Sequence, residues 1–245
     1  MKTGATLRTR LVAMVVAAIV PLFGLSVVDA VYTARLAVGH AQDHLKAAAS
    51  LVAANQERVS DAAHQLLTAM VHMPEVQNSA RPSCGAYFGI LNRLLSAYVN
   101  LGVIDPDGTV RCHGMQDSRP FFVGDRSYFQ DALTKRSFAV GEYAVGRMTD
   151  RPVVTFALPA LSREGQLTGV AFASVDLESL STMAASVQLP KGARLLIADR
   201  RGQVLVARPE SAALLGQPLP GLLLQDAVKT MRKGVSDGLD ELGNP

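Results

Sequence analysis

Residues 11–28, LVAMVVAAIVPLFGLSVV, carry no charged side chain. As a helix rising about 1.5 Å per residue, such a run spans roughly 27 Å, close to the thickness of the hydrocarbon core of a bilayer. Lys2, Arg8 and Arg10 precede it and Asp29 follows. A basic flank stays on the cytoplasmic side, so the rest of the chain is expected outside the cytoplasm. This predicts a cytoplasmic N-terminus over 1–10 and a transmembrane helix over 11–32, with Tyr32 at the outer interface. A cleaved signal peptide is the competing reading, with Val28-Asp29-Ala30 as its small-residue cleavage site. The length of the run, the mid-span Pro21 and helical patterning that continues past Ala30 favour the anchor. No other apolar run is long enough to cross a bilayer. The expected location is therefore the inner membrane, single-pass, with the main domain periplasmic.

Of the 245 residues, 49% are hydrophobic and 18% charged, and the net charge is only +3, which excludes disorder for most of the chain. The basic excess is scattered, with no Lys/Arg block interleaved with aromatics, so nucleic acid is not an expected partner. The two cysteines, Cys84 and Cys112, both follow the anchor. An even pair in an exported protein points to one disulfide, closing a loop worth about 3–4 kcal/mol in the chain-entropy model. Two unpaired buried thiols are the alternative. The spacing does not suit zinc, and neither a metal nor a cofactor is expected.

Residues 33–73 read as a long stalk helix, rich in Ala, Leu, Gln and Glu and free of proline until Pro74. Small or apolar residues recur in steps of three and four at Val38, Ala41, Leu45, Ala48, Val52, Val59, Ala62, Leu66, Ala69 and Met73, with Asn55 filling the gap. The seam serves either a second copy of the chain, giving a homodimer through the stalk, or the chain's own domain. His40, His44, His64 and His72 read as solvated positions on it.

A second helix is expected from Cys84 to Tyr98, with Tyr87, Ile90, Leu91, Leu94, Leu95 and Tyr98 on one face. The period then changes. NLGVI, the turn Asp105-Pro106-Asp107-Gly108 and TVRCHG form a hairpin pattern. Asp125 is placed to cap a short helix, RSYFQDALT, and three strands follow: FAVGEYAVG, PVVTFALPAL and LTGVAFASVDL. Short connections make neighbouring strands antiparallel. After an amphipathic helix over 177–187, Asp199-x-x-Gly202-x-Val204 repeats Asp105-x-x-Gly108-x-Val110, each behind an apolar strand. That marks a second copy of the unit. A loop from Pro209 to Pro220 and a helix from Leu222 to Lys233 follow, and the last three strands of the first copy have no counterpart. The expectation is an incomplete second unit, as in a fragment or a truncated product.

With these features the chain resembles the extracytoplasmic double Cache sensor domains of bacterial signalling proteins. The most telling residues are Asp125-Arg126-Ser127-Tyr128-Phe129, Gly141-Glu142-Tyr143, Gly146-Arg147, Pro152-Val153 and Val175-Asp176-Leu177. The resemblance implies an α+β chain with PAS-like units: a five-stranded antiparallel sheet with helices on one face. The membrane-distal unit would span 74–187 and the incomplete membrane-proximal unit 188–245. Relatives feed histidine kinases, diguanylate cyclases or chemoreceptors. No such output domain is expected within this chain.

The resemblance also implies a site. Relatives that bind amino acids carry Arg-x-Trp-Tyr after the hairpin, a later Tyr, and an Asp at the end of the fifth strand. Arg126, Tyr128, Phe129, Tyr143 and Asp176 fall in comparable places, with Tyr128 standing for the Trp and Phe129 for the Tyr. A guanidinium grips a carboxylate through two parallel hydrogen bonds, an Asp holds an ammonium, and aromatic faces enclose either. Arg147, beside a hairpin turn, is either solvated or a further ligand contact, and Asp176 either holds ligand or caps the helix at Leu177. The expected ligand is a small molecule, an amino acid or another carboxylate. Catalysis is not expected: His113 is near Ser118, yet nothing there resembles a nucleophile elbow, and no HExxH or Walker pattern occurs. A structural or dimerisation spacer is the rival reading.

Overall fold

The computed structural model of the chain describes residues 46–77, 84–115, 121–185, 188–189 and 192–230, together with positions 29, 32, 33 and 43. The chain divides into two compact units, Met1–Ser50 and Leu51–Pro245. In the first unit, every described position is helical. The apolar run over 11–28 lies outside the described residues, and among those described no helix is long and apolar enough to cross a membrane.

The second unit opens with α1, residues 51–71. Its buried seam is Ala63, Leu67, Met70 and Val71, with Val59, Leu66 and Met73 partly packed. This corrects the expected seam, since Ala62 and Ala69 face solvent. The two alanines at 62 and 63 are equivalent in sequence, and the face that meets the sheet decides between them.

After α2 (Pro74–Gln77) comes α3 (Cys84–Leu94). It stops short of the expected end because Tyr98 already belongs to β1 (Tyr98–Ile104). Its inward face is the expected one only in part: Leu91, Leu95 and Tyr98 pack against the core beside the buried Cys84 and Phe88, while Tyr87, Ile90 and Leu94 are 38%, 49% and 73% exposed. Cys84 is bonded to Cys112 on β2 (Val110–His113), with Cα atoms 6.0 Å apart, which ties α3 to the sheet edge.

The sheet continues through α4 (Ser127–Lys135), β3 (Ala139–Val140), β4 (Ala144–Val145), β5 (Pro152–Leu161) and β6 (Leu167–Asp176). Its order is β2-β1-β6-β5-β3, all pairs antiparallel, with β4 also pairing β5. It therefore has six strands where five were expected. The segment FAVGEYAVG is broken in two at 141–143, so β3 and β4 take turns along the same edge of β5. At Gly141 the backbone still donates to the Thr155 carbonyl at 2.8 Å, an approach only glycine allows: a Cβ there would lie 2.8 Å from that oxygen and 3.2 Å from the Tyr128 side chain.

Side chains alternate across a strand, so the register assigns the faces. Leu101, Val103, Val154, Phe156, Ala171, Ala173 and Val175 look toward α1, α2 and α3 in one core. Ile104, Ala157, Val170 and Phe172 look the other way, where Phe129 and Ala132 of α4 cover them. Helices thus pack on both faces, which corrects the expectation of helices on one face.

α5 (Leu177–Ala185) leads to a two-stranded sheet, β7 (Leu195–Ala198) with β8 (Val204–Arg208), then a 3-10 turn (Ala212–Leu214) and α6 (Leu222–Thr230). The internal repeat holds at the level of the backbone. Asp105 N donates to Thr109 O and Gly108 N to Asp105 O; Asp199 N donates to Gln203 O and Gly202 N to Asp199 O. Val123 N donates to Gly108 O as Leu219 N does to Gly202 O. Both glycines sit at positive φ, +92° and +77°, where other residues are strained. The second hairpin docks on the 140–143 segment of the first sheet. Asp199 Oδ2 accepts from Tyr143 N at 3.0 Å, Arg201 Nε meets Glu142 Oε1 at 2.6 Å, and Arg200 donates to the Val140 carbonyl.

Candidate functional site

On the α4 side of the sheet, short of the helix, a narrow gap of about 40 Å³ remains. Its floor is a polar row. Asn100 pairs with Ser174 across β1 and β6, and Ser174 with Thr155 across β6 and β5, so three strands each contribute one polar side chain to one face. Asn100 is 3% exposed, Thr155 6% and Ser174 8%. The Thr155 and Ser174 hydroxyls satisfy each other at 2.8 Å. Asn100 Oδ1 is buried with no hydrogen-bond partner. An orphaned buried acceptor costs about 1–3 kcal/mol, and something normally answers it.

The roof is cationic and aromatic. Arg126 stands at the N-cap of α4 in extended conformation, with no side-chain cap. Its Nη2 donates to the Val145 carbonyl at 3.1 Å, one of five N–H donors on the fork. Asp125, expected as the cap, is turned away instead. It receives Arg147 Nη1 and Nη2 at 2.7 and 2.6 Å, and Arg147 Nη1 also donates to the Phe122 carbonyl at 2.5 Å. The Arg147 hydrogen bond holds the Asp125 carboxyl down at about 2. Tyr128 lines the gap, and burial pushes its phenol up to about 12, so it stays protonated at neutral pH. Phe121, Val123, Met148, Thr149, Val153 and Phe172 complete the walls.

Of the residues picked out in the sequence, Arg126, Tyr128 and Arg147 meet at this gap. Phe129 does not: it is 2% exposed and packed among Ile104, Val110 and Phe172 beneath α4. Two successive residues of a helix cannot both face the gap, and Tyr128 takes that direction. Tyr143 is also elsewhere, in the junction with the second hairpin. Asp176 ends β6 on the same face as Ser174, but both its oxygens are engaged. Oδ1 accepts from Glu178 N at 2.9 Å, capping α5, and Oδ2 from Arg151 Nη1 at 3.2 Å. The polar row was not anticipated. Its signal was one polar residue inside each of three apolar strand runs: Asn100, Thr155 and Ser174.

Two wider hollows, of about 210 and 290 Å³, lie along α1, α5 and the second hairpin. Their walls are chiefly aliphatic: Val59, Leu180, Ala184 and Ile197 in one, Val154, Phe156, Val175 and Leu205 in the other. Polar side chains join them, Asn55, Gln56 and Arg58 in the first and Gln56, Glu57, Ser60, Asp199 and Arg200 in the second. Asp199, on the wider one, already accepts from Tyr143 N, Arg201 N and Gln203 N. Specific small-ligand sites need a few polar groups aimed at one point, and the narrow gap has them.

A family model described as a Cache domain matches residues 33–240. None of the curated proteins matches the chain. Among solved structures, the ligand-binding domain of the Campylobacter jejuni chemoreceptor Tlp3, in complex with 4-methylisoleucine, is 16% identical, with TM-score 0.54 over 69% of this chain and 68% of that one. The ligand-binding domain of the Pseudomonas aeruginosa PAO1 amino acid chemoreceptor PctC, in complex with GABA, is 21% identical, with TM-score 0.56 over 72% and 80%. The Vibrio cholerae histidine kinase DctB sensor domain is 17% identical, with TM-score 0.57 over 74% and 69%. At such identities these likenesses show the fold.

Proposed function

The chain belongs to the Cache domain family, a family of sensor domains, and we propose that it is a membrane-anchored, extracytoplasmic ligand-sensing module of a bacterial signal-transduction protein. Residues 11–32 are its anchor, 33–73 its stalk, 74–187 the ligand-binding unit and 188–245 an incomplete second, PAS-like unit. A small carboxylate or amino acid enters the gap between the polar row and α4. Arg126 grips its carboxylate, Tyr128 covers its body, and Arg147 closes over it.

The observation that supports this reading is the convergence of two guanidiniums on a floor that holds an orphaned acceptor, Asn100 Oδ1. Among the described residues the second unit offers no such set: Gln130-Asp131-Ala132 aligns with Gln225-Asp226-Ala227, so Gly221 and Leu223 hold the places there of Arg126 and Tyr128. To signal, the ligand must bind one arrangement of the two units better than another. The 140–149 segment is suited to that, since Ala144 and Arg147 line the gap while Glu142 and Tyr143 are bonded to the second hairpin.

Isothermal titration of the chain with amino and carboxylic acids tests the proposal. At least one binds, and Arg126→Ala weakens it by at least about tenfold, equivalent to 1.4 kcal/mol. The rival reading, a structural spacer, draws on the narrowness of the gap and the engagement of Arg147 by Asp125. No binding by any acid, with Arg126→Ala inert, selects the spacer.

A further inference from the structure

We propose that the ligand is a small hydroxycarboxylate, held by Arg126 and Arg147 at its carboxylate and by Asn100 at its hydroxyl. The inference rests on the ligand-sensing reading above and narrows it by charge.

Among the described residues, two positive groups face the gap; Asp176 is filled by Arg151 and by the first turn of α5, and Asp125, seated in the fork of Arg147, leaves for solvent when a ligand carboxylate takes its place. An α-ammonium entering here meets two guanidiniums and only neutral acceptors. A hydroxyl carries no charge to be repelled, and it has the one donor that Asn100 Oδ1 lacks. The hydroxyl's own lone pairs then face Thr155 and Ser174, whose hydroxyls can rotate to donate.

The carboxylate end is also prepared. The Asp125–Arg147 pair is a carboxylate already seated in a bidentate fork, with side chains 53% and 39% exposed. Exposed pairs hold weakly because water competes for both partners. A ligand carboxylate therefore displaces Asp125 into solvent, and the freed Arg147 turns onto the ligand. The small volume of the gap selects a short acid.

Three acids with one carbon skeleton test this by titration against the full chain: L-lactate, L-alanine and propionate, bearing hydroxyl, ammonium and hydrogen at the α-carbon. L-Lactate is expected to bind about tenfold or more tighter than either of the others, the worth of one buried hydrogen bond. Asn100→Leu should bring lactate down to the level of propionate, and Asn100→Asp should shift preference toward alanine. Asp125→Asn should tighten lactate by removing the internal competitor. Alanine binding as well as lactate or better, or propionate matching lactate, overturns the inference. If that binding still depends on Arg126, the sensing reading stands. If none of the three binds and a wider panel shows no Arg126-dependent ligand, both fail together.

Discussion

At Asp125 the main electrostatic feature of the site is open to titration. Its carboxyl is held at about 2, below its ordinary 3.8, chiefly by the hydrogen bond from Arg147. A depressed carboxyl stabilises the folded state above its unfolded pKa and loses that contribution as pH falls through its folded pKa. The difference in denaturant midpoint between the wild type and Asp125→Asn should therefore be constant above about pH 5. It should shrink between 3.8 and about 2 and vanish below that range. A difference unchanged at the acid end would detach Asp125 from Arg147 in solution. Its neighbours Tyr128 and Phe129 test the direction in which α4 points. Phe129→Ala should cost about 3–5 kcal/mol in chemical denaturation, as a fully buried aromatic does. Phe129→Leu should fold and bind ligand unchanged. Tyr128→Leu should do the reverse, weakening binding with little effect on stability.

Among the elements, α1 and the second hairpin carry the clearest expectations. Leu67 is fully buried against the sheet, so Leu67→Ala should cost about 2–5 kcal/mol. Ala69 faces solvent, and Ala69→Leu should stay within about 0.5 kcal/mol of the wild type. The opposite ranking would restore the seam that the sequence alone suggested. Asp199 is the pin of the junction: three backbone N–H groups converge on its carboxylate, two from its own turn and one from Tyr143. Asp199→Ala should cost about 1–3 kcal/mol. In hydrogen exchange it should speed the amides of Tyr143, Arg201 and Gln203 while leaving those of Leu101 and Val103 as they were. Uniform acceleration across the sheet would mean that the hairpin is not a separable element.

For the whole molecule, what could be foreseen follows the range of the interactions. The Asp-x-x-Gly hairpins, β5, β6 and the repeat were legible because turn chemistry and short apolar runs bounded by turns act over a few residues. The split of one expected strand into β3 and β4 was not: at the break, Glu142 and Tyr143 are bonded to Arg201 and Asp199 of the distant second hairpin. The same division runs through the site. Arg126 and Tyr128 were legible from a local motif, whereas the row of Asn100, Ser174 and Thr155 exists only once β1, β6 and β5 are in register. Tyr143 and Asp176 could not be separated from the site in advance, because their partners, Asp199 and Arg151, come from other segments. The most direct test of the central claim is a crystal structure of the chain grown with saturating L-lactate. The acid is expected between Arg126, Arg147 and Asn100, with Asp125 released to solvent. Lactate seated instead against Val154, Phe156 and Leu180, or a gap still closed by the Asp125–Arg147 pair, would contradict it.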